Sequence, residues 1–263
     1  MPAVRVDGIG VAYDRVGHGP PLVLAHGATS DARLFRPQME DLADEFTVVA
    51  WDEPGAGRSS DVPAVFPLAG YARCLAAVIE DVGLGPAHVL GLAWGGTVVL
   101  ELYRLHPSLV RTLVLADTYA GWKGSLSAAE VRSRIRGAER TLAVPDEAFA
   151  PSLPGLFAEA PPAGVVRLLS VMSAQTRRRS MRAELAAMAD ADLSGLLPRI
   201  GVPTLLLWGE LDARSPVEPV ARSFLDAVPQ ATLVVLPGAG HLSNLEAPEA
   251  FNRTVREFCR TRS

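Results

Sequence analysis

The densest chemical signal in the sequence is a run of small residues between an apolar stretch and a helix-forming one, Val89-Leu90-Gly91-Leu92-Ala93-Trp94-Gly95-Gly96. A strand that turns this abruptly into a helix forces the residue at the turn into a strained conformation. Glycines two before and two after it let the backbones pass without Cβ clashes. Such a nucleophile elbow presents Ser, Cys or Asp at its apex, where this chain has Ala93. A methyl group can neither attack a carbonyl nor surrender a proton, so the chain as written lacks the reactive atom. No second Gly-x-Ser-x-Gly occurs, and Ser59, Ser60, Ser125 and Ser194 sit in contexts typical of caps and turns.

Other chemistries find no support. There is no Gly-x-x-x-x-Gly-Lys-Ser/Thr loop, no Gly-x-Gly-x-x-Gly after a strand and no His-Glu-x-x-His helix, and Cys74 and Cys259 lie too far apart for a CxxC site. The expectation is a protein without cofactor or metal.

The elements that must position the elbow are legible in the patterning. Short β-branched runs, at 4–7, 11–15, 22–25, 47–51, 88–92, 112–116, 204–208 and 232–236, alternate with helical periods near 36–44, 68–82, 95–105, 216–227 and 247–260. That alternation predicts an α/β fold, a mostly parallel eight-stranded sheet with helices on both faces. Glycines at Gly8 and Gly10 predict an antiparallel hairpin at one edge. From about Ala120 to Arg199 the strand pattern disappears. Helical periods near 127–143, 146–158, 163–173 and 177–190, broken by Pro145, Pro151, Pro154, Pro161 and Pro162, predict a helical insertion after the sixth strand.

Five segments in chain order now resemble the α/β-hydrolase superfamily over essentially the whole length: His26-Gly27-Ala28, Asp52-Glu53-Pro54-Gly55-Ala56-Gly57-Arg58-Ser59, the elbow, Gly209-Glu210-Leu211-Asp212 and Gly240-His241. The resemblance implies a core of residues 1–119 and 200–263 carrying a helical cap, or lid, of residues 120–199. It makes His241 the general base, Asp212 the acid that orients it, and the backbone N–H groups of Ala28 and Trp94 an oxyanion hole. The serine branch, of esterase and lactonase type, fits the elbow best and makes Ser the residue expected at position 93. Ala93 is then either the mark of an inactivated variant, which the intact surroundings favour, or the natural residue of a non-catalytic ligand-binding relative. Asp117, after the sixth strand, is the competing acid. His26 and Asp52 read as loop-fixing residues.

The resemblance implies hydrolysis of a carboxylic ester or lactone, with amide, carbamate and carbon–carbon hydrolysis as alternatives on the same groups. Cap residues Leu156, Phe157, Leu168 and Met172, with Leu169 and Val171, suggest an apolar pocket for a hydrophobic small-molecule substrate. A formal charge of -4 and a pI near 5.8 give no reason to expect a nucleic-acid partner. Arg177, Arg178, Arg179 and Arg182, the one dense basic cluster, read as a solvated helix face. The charged, glycine-bearing N-terminus and the lack of a long apolar run predict a cytoplasmic protein off the membrane, its two cysteines unpaired.

Overall fold

The computed structural model describes residues 2–145, 149 and 154–262. Eight strands, β1 (Ala3–Val6), β2 (Ile9–Val16), β3 (Pro21–Ala25), β4 (Thr47–Trp51), β5 (Ala87–Leu92), β6 (Val110–Ala116), β7 (Thr204–Gly209) and β8 (Ala231–Leu236), form one sheet in the order β1-β2-β4-β3-β5-β6-β7-β8. β1 pairs antiparallel with β2, and β2 antiparallel with β4; all later pairs are parallel. Every residue of β3, β4, β5 and β7 is buried, the mark of strands covered on both faces.

The alternation along each strand divides the core into two layers. Val23, Val49, Val89, Leu113, Leu206 and Trp208 face one layer, covered by α2 (Leu68–Val82), α3 (Trp94–Leu105) and α8 (Arg222–Ala227). Leu22, Leu24, Val48, Leu90, Val114 and Leu207 face the other, covered by α1 (Arg36–Leu42) and α10 (Pro248–Arg260), with the short α9 (Ser243–Glu246) beside them. The helix period of α10 brings Phe251, Val255 and Phe258 onto the sheet. Cys74, on α2, and Cys259, on α10, are buried in opposite layers and form no disulfide.

Between β6 and β7 the described residues form α4 (Trp122–Ser125), α5 (Ala128–Ala143), α6 (Ala163–Ala174) and α7 (Arg178–Asp190). Ser127 starts α5 with a reciprocal capping box to Glu130. The helix expected over 146–158 falls mostly outside the described residues; its end, 154–158, forms turns and bends, with Gly155 at φ +73°. The arginine cluster is not simply a solvated face. Arg177 donates to the carbonyls of Gly55 (3.1 Å) and Ser59 (2.8 Å) and pairs with Asp61 at 2.8 Å, fastening the start of α7 to the loop after β4. No helix among the described residues is long and apolar enough to cross a membrane.

The elbow sits where β5 passes into α3. A Cβ added to Gly95 would lie 2.1 Å from the Ala25 carbonyl oxygen, and one on Gly91 would lie 2.4 Å from Gly96 Cα, so backbone meets backbone at both places. Gly95→Ala is therefore expected to lower stability by about 1–3 kcal/mol or more, since backbone cannot rotate away from the clash. Gly164→Ala in α6, with nothing within 4 Å of the new Cβ, is expected to be neutral or stabilising by up to about 1 kcal/mol. Urea denaturation of the two variants checks this; equal effects would contradict the close approach.

Candidate active site

Ala93 adopts φ 51° and ψ -119°, a conformation that costs a non-glycine residue about 1–3 kcal/mol. Three hydrogen bonds hold it there: Ala93 N donates to the Ala116 carbonyl (2.9 Å), Gly96 N donates to the Ala93 carbonyl (3.0 Å), and Thr118 Oγ1 donates to that same carbonyl (2.5 Å). The residue after it, Trp94, opens α3, so its N–H belongs to the first turn, where helix donors lack intrahelical partners. The segment after β3 packs directly on the elbow: a Cβ on Gly27 would stand 3.2 Å from the Ala93 Cβ. Ala28, Ala93, Trp94 and His241 all line one cavity of about 540 Å³.

Asp212 and His241 are brought together by the ends of β7 and β8. His241 Nδ1 lies 2.9 Å from Asp212 Oδ2, and both side chains are buried. Asp212 also accepts from Arg214 N (2.8 Å), Ser215 N (3.0 Å) and Ser215 Oγ (2.6 Å). Burial raises its pKa, but the His241 contact and the Ser215 donors overcome it and leave the carboxyl below its usual range. Burial drives the His241 pKa below its ordinary value. Asp212 opposes that shift, and the charges of Arg214 and Arg134 reinforce it.

The second acid candidate, Asp117, turns elsewhere. Its Oδ1 accepts from Gly209 N (2.8 Å) and its Oδ2 from Ser243 Oγ (2.5 Å), tying β7 to α9. Burial and the nearby Asp212 charge push its pKa well above the carboxylate range. His26 Nε2 accepts from Glu53 N (3.1 Å), and Asp52 accepts from Ala32 N (2.9 Å) and from Arg58 N and Nε (2.9 and 2.6 Å), so both fix loops.

Of the cap residues expected around a substrate, Leu156 and Phe157 line the cavity, as does Leu169. Leu168 and Met172 do not line it and belong to the apolar cluster beneath. The helix period explains the correction: Val166, Leu169, Ser170 and Ser173 share the cavity face of α6, which turns Leu168 and Met172 away from it. Val171 is 42% exposed.

The wall is also less apolar than the sequence suggests, because Arg134 from α5 and Arg214 from the loop after β7 line it with Tyr119 and Trp122. Sequence reasoning missed both arginines. Arg214 stands two residues past Asp212, a position that could have drawn notice, whereas nothing local marks Arg134. Behind the elbow the Trp94 indole donates to Glu53 Oε2 (2.8 Å). Glu53 is buried near Glu184 of α7; burial first and the Glu184 charge second push its pKa well up, and burial raises Glu184 to about 8.

A mostly parallel eight-stranded sheet, a strained strand-to-helix elbow after β5 and an Asp–His pair on the loops after β7 and β8 together define a hydrolase scaffold. The chain belongs to the Alpha/beta hydrolase family, whose sequence model matches residues 22–254. It is 29% identical over 268 residues to a putative carbamate hydrolase RutD of Azorhizobium caulinodans, covering 98% of each chain. Its structure is similar to that of a malate-bound thermophilic esterase from Thermogutta terrifontis, with a TM-score of 0.89, 31% identity and 99% of both chains covered. The fold is shared with an enol-lactonase from Burkholderia xenovorans LB400, at a TM-score of 0.86 and 24% identity, covering 98% of this chain and all of that one.

The electrostatics of His241 can be read directly by NMR titration of its imidazole. Its apparent pKa is expected below the ordinary value of about 6.5. Asp212→Asn removes the opposing charge and should lower it further, while Arg214→Met removes a depressing charge and should raise it. Shifts of the opposite sign would refute this account.

Proposed function

We propose that the chain carries the machinery of a cofactor-independent serine-type hydrolase of carboxylic esters or lactones, with alanine at the nucleophile position, so that it binds substrate without turning it over. The observation that carries the reading is the Asp212–His241 contact at 2.9 Å in the cavity whose floor is the strained Ala93. A serine hydroxyl at position 93 would add to the substrate carbonyl as His241 takes its proton. His241 would then return that proton to the leaving alkoxide, and water would release the acyl group by the same route. Asp212 holds the imidazole in the tautomer that leaves Nε2 free to accept, and offsets the positive charge that forms on it. The N–H groups of Ala28 and Trp94 serve the developing oxyanion, and a donor of this kind lowers the barrier by about 2.7–4 kcal/mol in a comparable site.

The segment 120–199 acts as the cap on the core formed by 1–119 and 200–263, and its residues Leu156 and Phe157 contact the substrate. A carbamate is the second reading. It uses the same groups, and the name of the relative from Azorhizobium caulinodans favours it.

Ala93→Ser is expected to create hydrolysis of p-nitrophenyl esters, simple lactones or aryl carbamates, with a gain on the order of 10⁶-fold in turnover, the scale of nucleophile loss in another serine hydrolase. A folded serine variant at background across that panel would sink the reading. In the serine background, Asp212→Asn should cost about 10⁴-fold through the wrong tautomer and an unstabilised imidazolium. Asp117→Asn should cost far less, because an amide can accept from Gly209 N and meet the Ser243 hydroxyl. Steady-state kinetics that reversed this ranking would move the acid to Asp117.

A further inference from the structure

The hydrolytic machinery does not use the two guanidinium groups of the cavity wall. Arg134 donates through Nη2 to the Tyr119 hydroxyl (2.9 Å) and to the carbonyl oxygen of Arg214 (2.6 Å). Arg214 donates through Nη1 to the carbonyl of Pro154 (3.0 Å), its one side-chain acceptor among the described residues. Its Nε is enclosed and meets no acceptor, and the same is true of Nε1 of the neighbouring Trp122. The lining includes no Asp or Glu among the described residues. The nearby carboxylates are engaged elsewhere: the oxygens of Asp212 by His241, Ser215 and the Arg214 backbone N–H, and Glu130, exposed one turn before Arg134 on α5, by the N–H and hydroxyl of Ser127.

Both arginines are half-buried, and their side chains donate only to neutral acceptors among the described residues, an arrangement whose cost rises with burial. A guanidinium has five donors in a rigid fork that matches a carboxylate in two-point contact. The pair is also held in place in advance of any ligand. Arg134 lies over the Tyr119 ring at 5.0 Å and the Trp122 ring at 5.6 Å, while the Arg214 backbone is anchored to Asp212. Ala93 and His241 line the same cavity, so a group bound by the arginines and a carbonyl presented to the elbow belong to one small molecule.

We propose that Arg134 and Arg214 form an anion-recognition subsite, and that the substrate carries an ionised carboxylate in addition to the carbonyl group attacked. The substrate class is the half-ester of a dicarboxylic acid, or a lactone or carbamate bearing a free acid. The inference deepens the hydrolase reading and rests on it only for the identity of the scissile group.

The chain as it stands, with Ala93, permits a binding test free of turnover. Monomethyl and dimethyl esters of succinate, glutarate and adipate are titrated by calorimetry at low ionic strength. The half-ester of at least one chain length is expected to bind about tenfold or more tightly than its diester, the scale of charge-assisted hydrogen bonding to one carboxylate. Arg214→Met and, separately, Arg134→Met should collapse that ratio toward one, with circular dichroism reporting the fold. If Arg214→Met does not fold, Arg134→Met on the partly exposed α5 decides. The absence of any preference, whether both esters bind alike or neither binds, overturns the proposal, as does a preference that survives the substitutions. Turnover by Ala93→Ser is a separate reading: its failure beside a retained carboxylate preference would refute the hydrolase and leave the subsite standing.

Discussion

The backbone strain at Ala93 is the constraint around which the rest of the molecule is arranged. A residue at φ 51° and ψ -119° does not stay there unaided; here donors and acceptors from three directions fix it. The Ala116 carbonyl comes from the end of β6 and the Thr118 hydroxyl from the turn beyond it, while Gly96 binds from inside α3. The order of strands in the sheet is thus part of the site. β3 and β6 flank β5, so the segment carrying Ala28 and the segment holding the elbow carbonyl both converge on the same turn.

Around that turn the charges are arranged in unequal pairs. Asp212 is kept ionised by its donors and by His241, while Asp117 beside it is driven toward its neutral form by burial and by the Asp212 charge. The same cost of burial recurs behind Trp94, where Glu53 and Glu184 are both buried and both titrate high. Two like charges in a low dielectric cannot both be held cheaply: the first pair resolves this by favouring the charge on Asp212, the second by pushing both carboxyls toward their neutral forms. The charges that act on His241 are those of Asp212, which raises its pKa, and of Arg214 and Arg134, which lower it. The cavity wall and His241 are therefore coupled electrostatically.

The sheet was legible from sequence because buried parallel strands read as short β-branched runs and covering helices as 3.6-residue periods, both local signals. The elbow was legible for a similar reason: Gly91 and Gly95 are required by close backbone contacts that no side chain permits, and Gly96 by the Thr118 side chain packed against it. The cavity wall was not legible. Arg134 and Arg214 are 80 residues apart and meet only because α5 folds over the end of β7. Leu168 and Leu169 both pack on the same apolar cluster, yet only Leu169 lines the cavity, which depends on the phase of α6 against the core rather than on composition. Arg177 looked like one more solvated charge until the loop of Gly55 and Ser59 supplied its acceptors.

The placement of the two cysteines has a practical consequence. Burial pushes Cys74 up to about 11 and Cys259 up to about 12, and thiolate is the form that reacts with alkylating reagents. One lies on the buried face of α2 and the other on that of α10, on opposite sides of the sheet. The chain thus carries one silent chemical reporter in each layer, and the order in which the two thiols become alkylated under mild denaturant records which side of the sheet parts first.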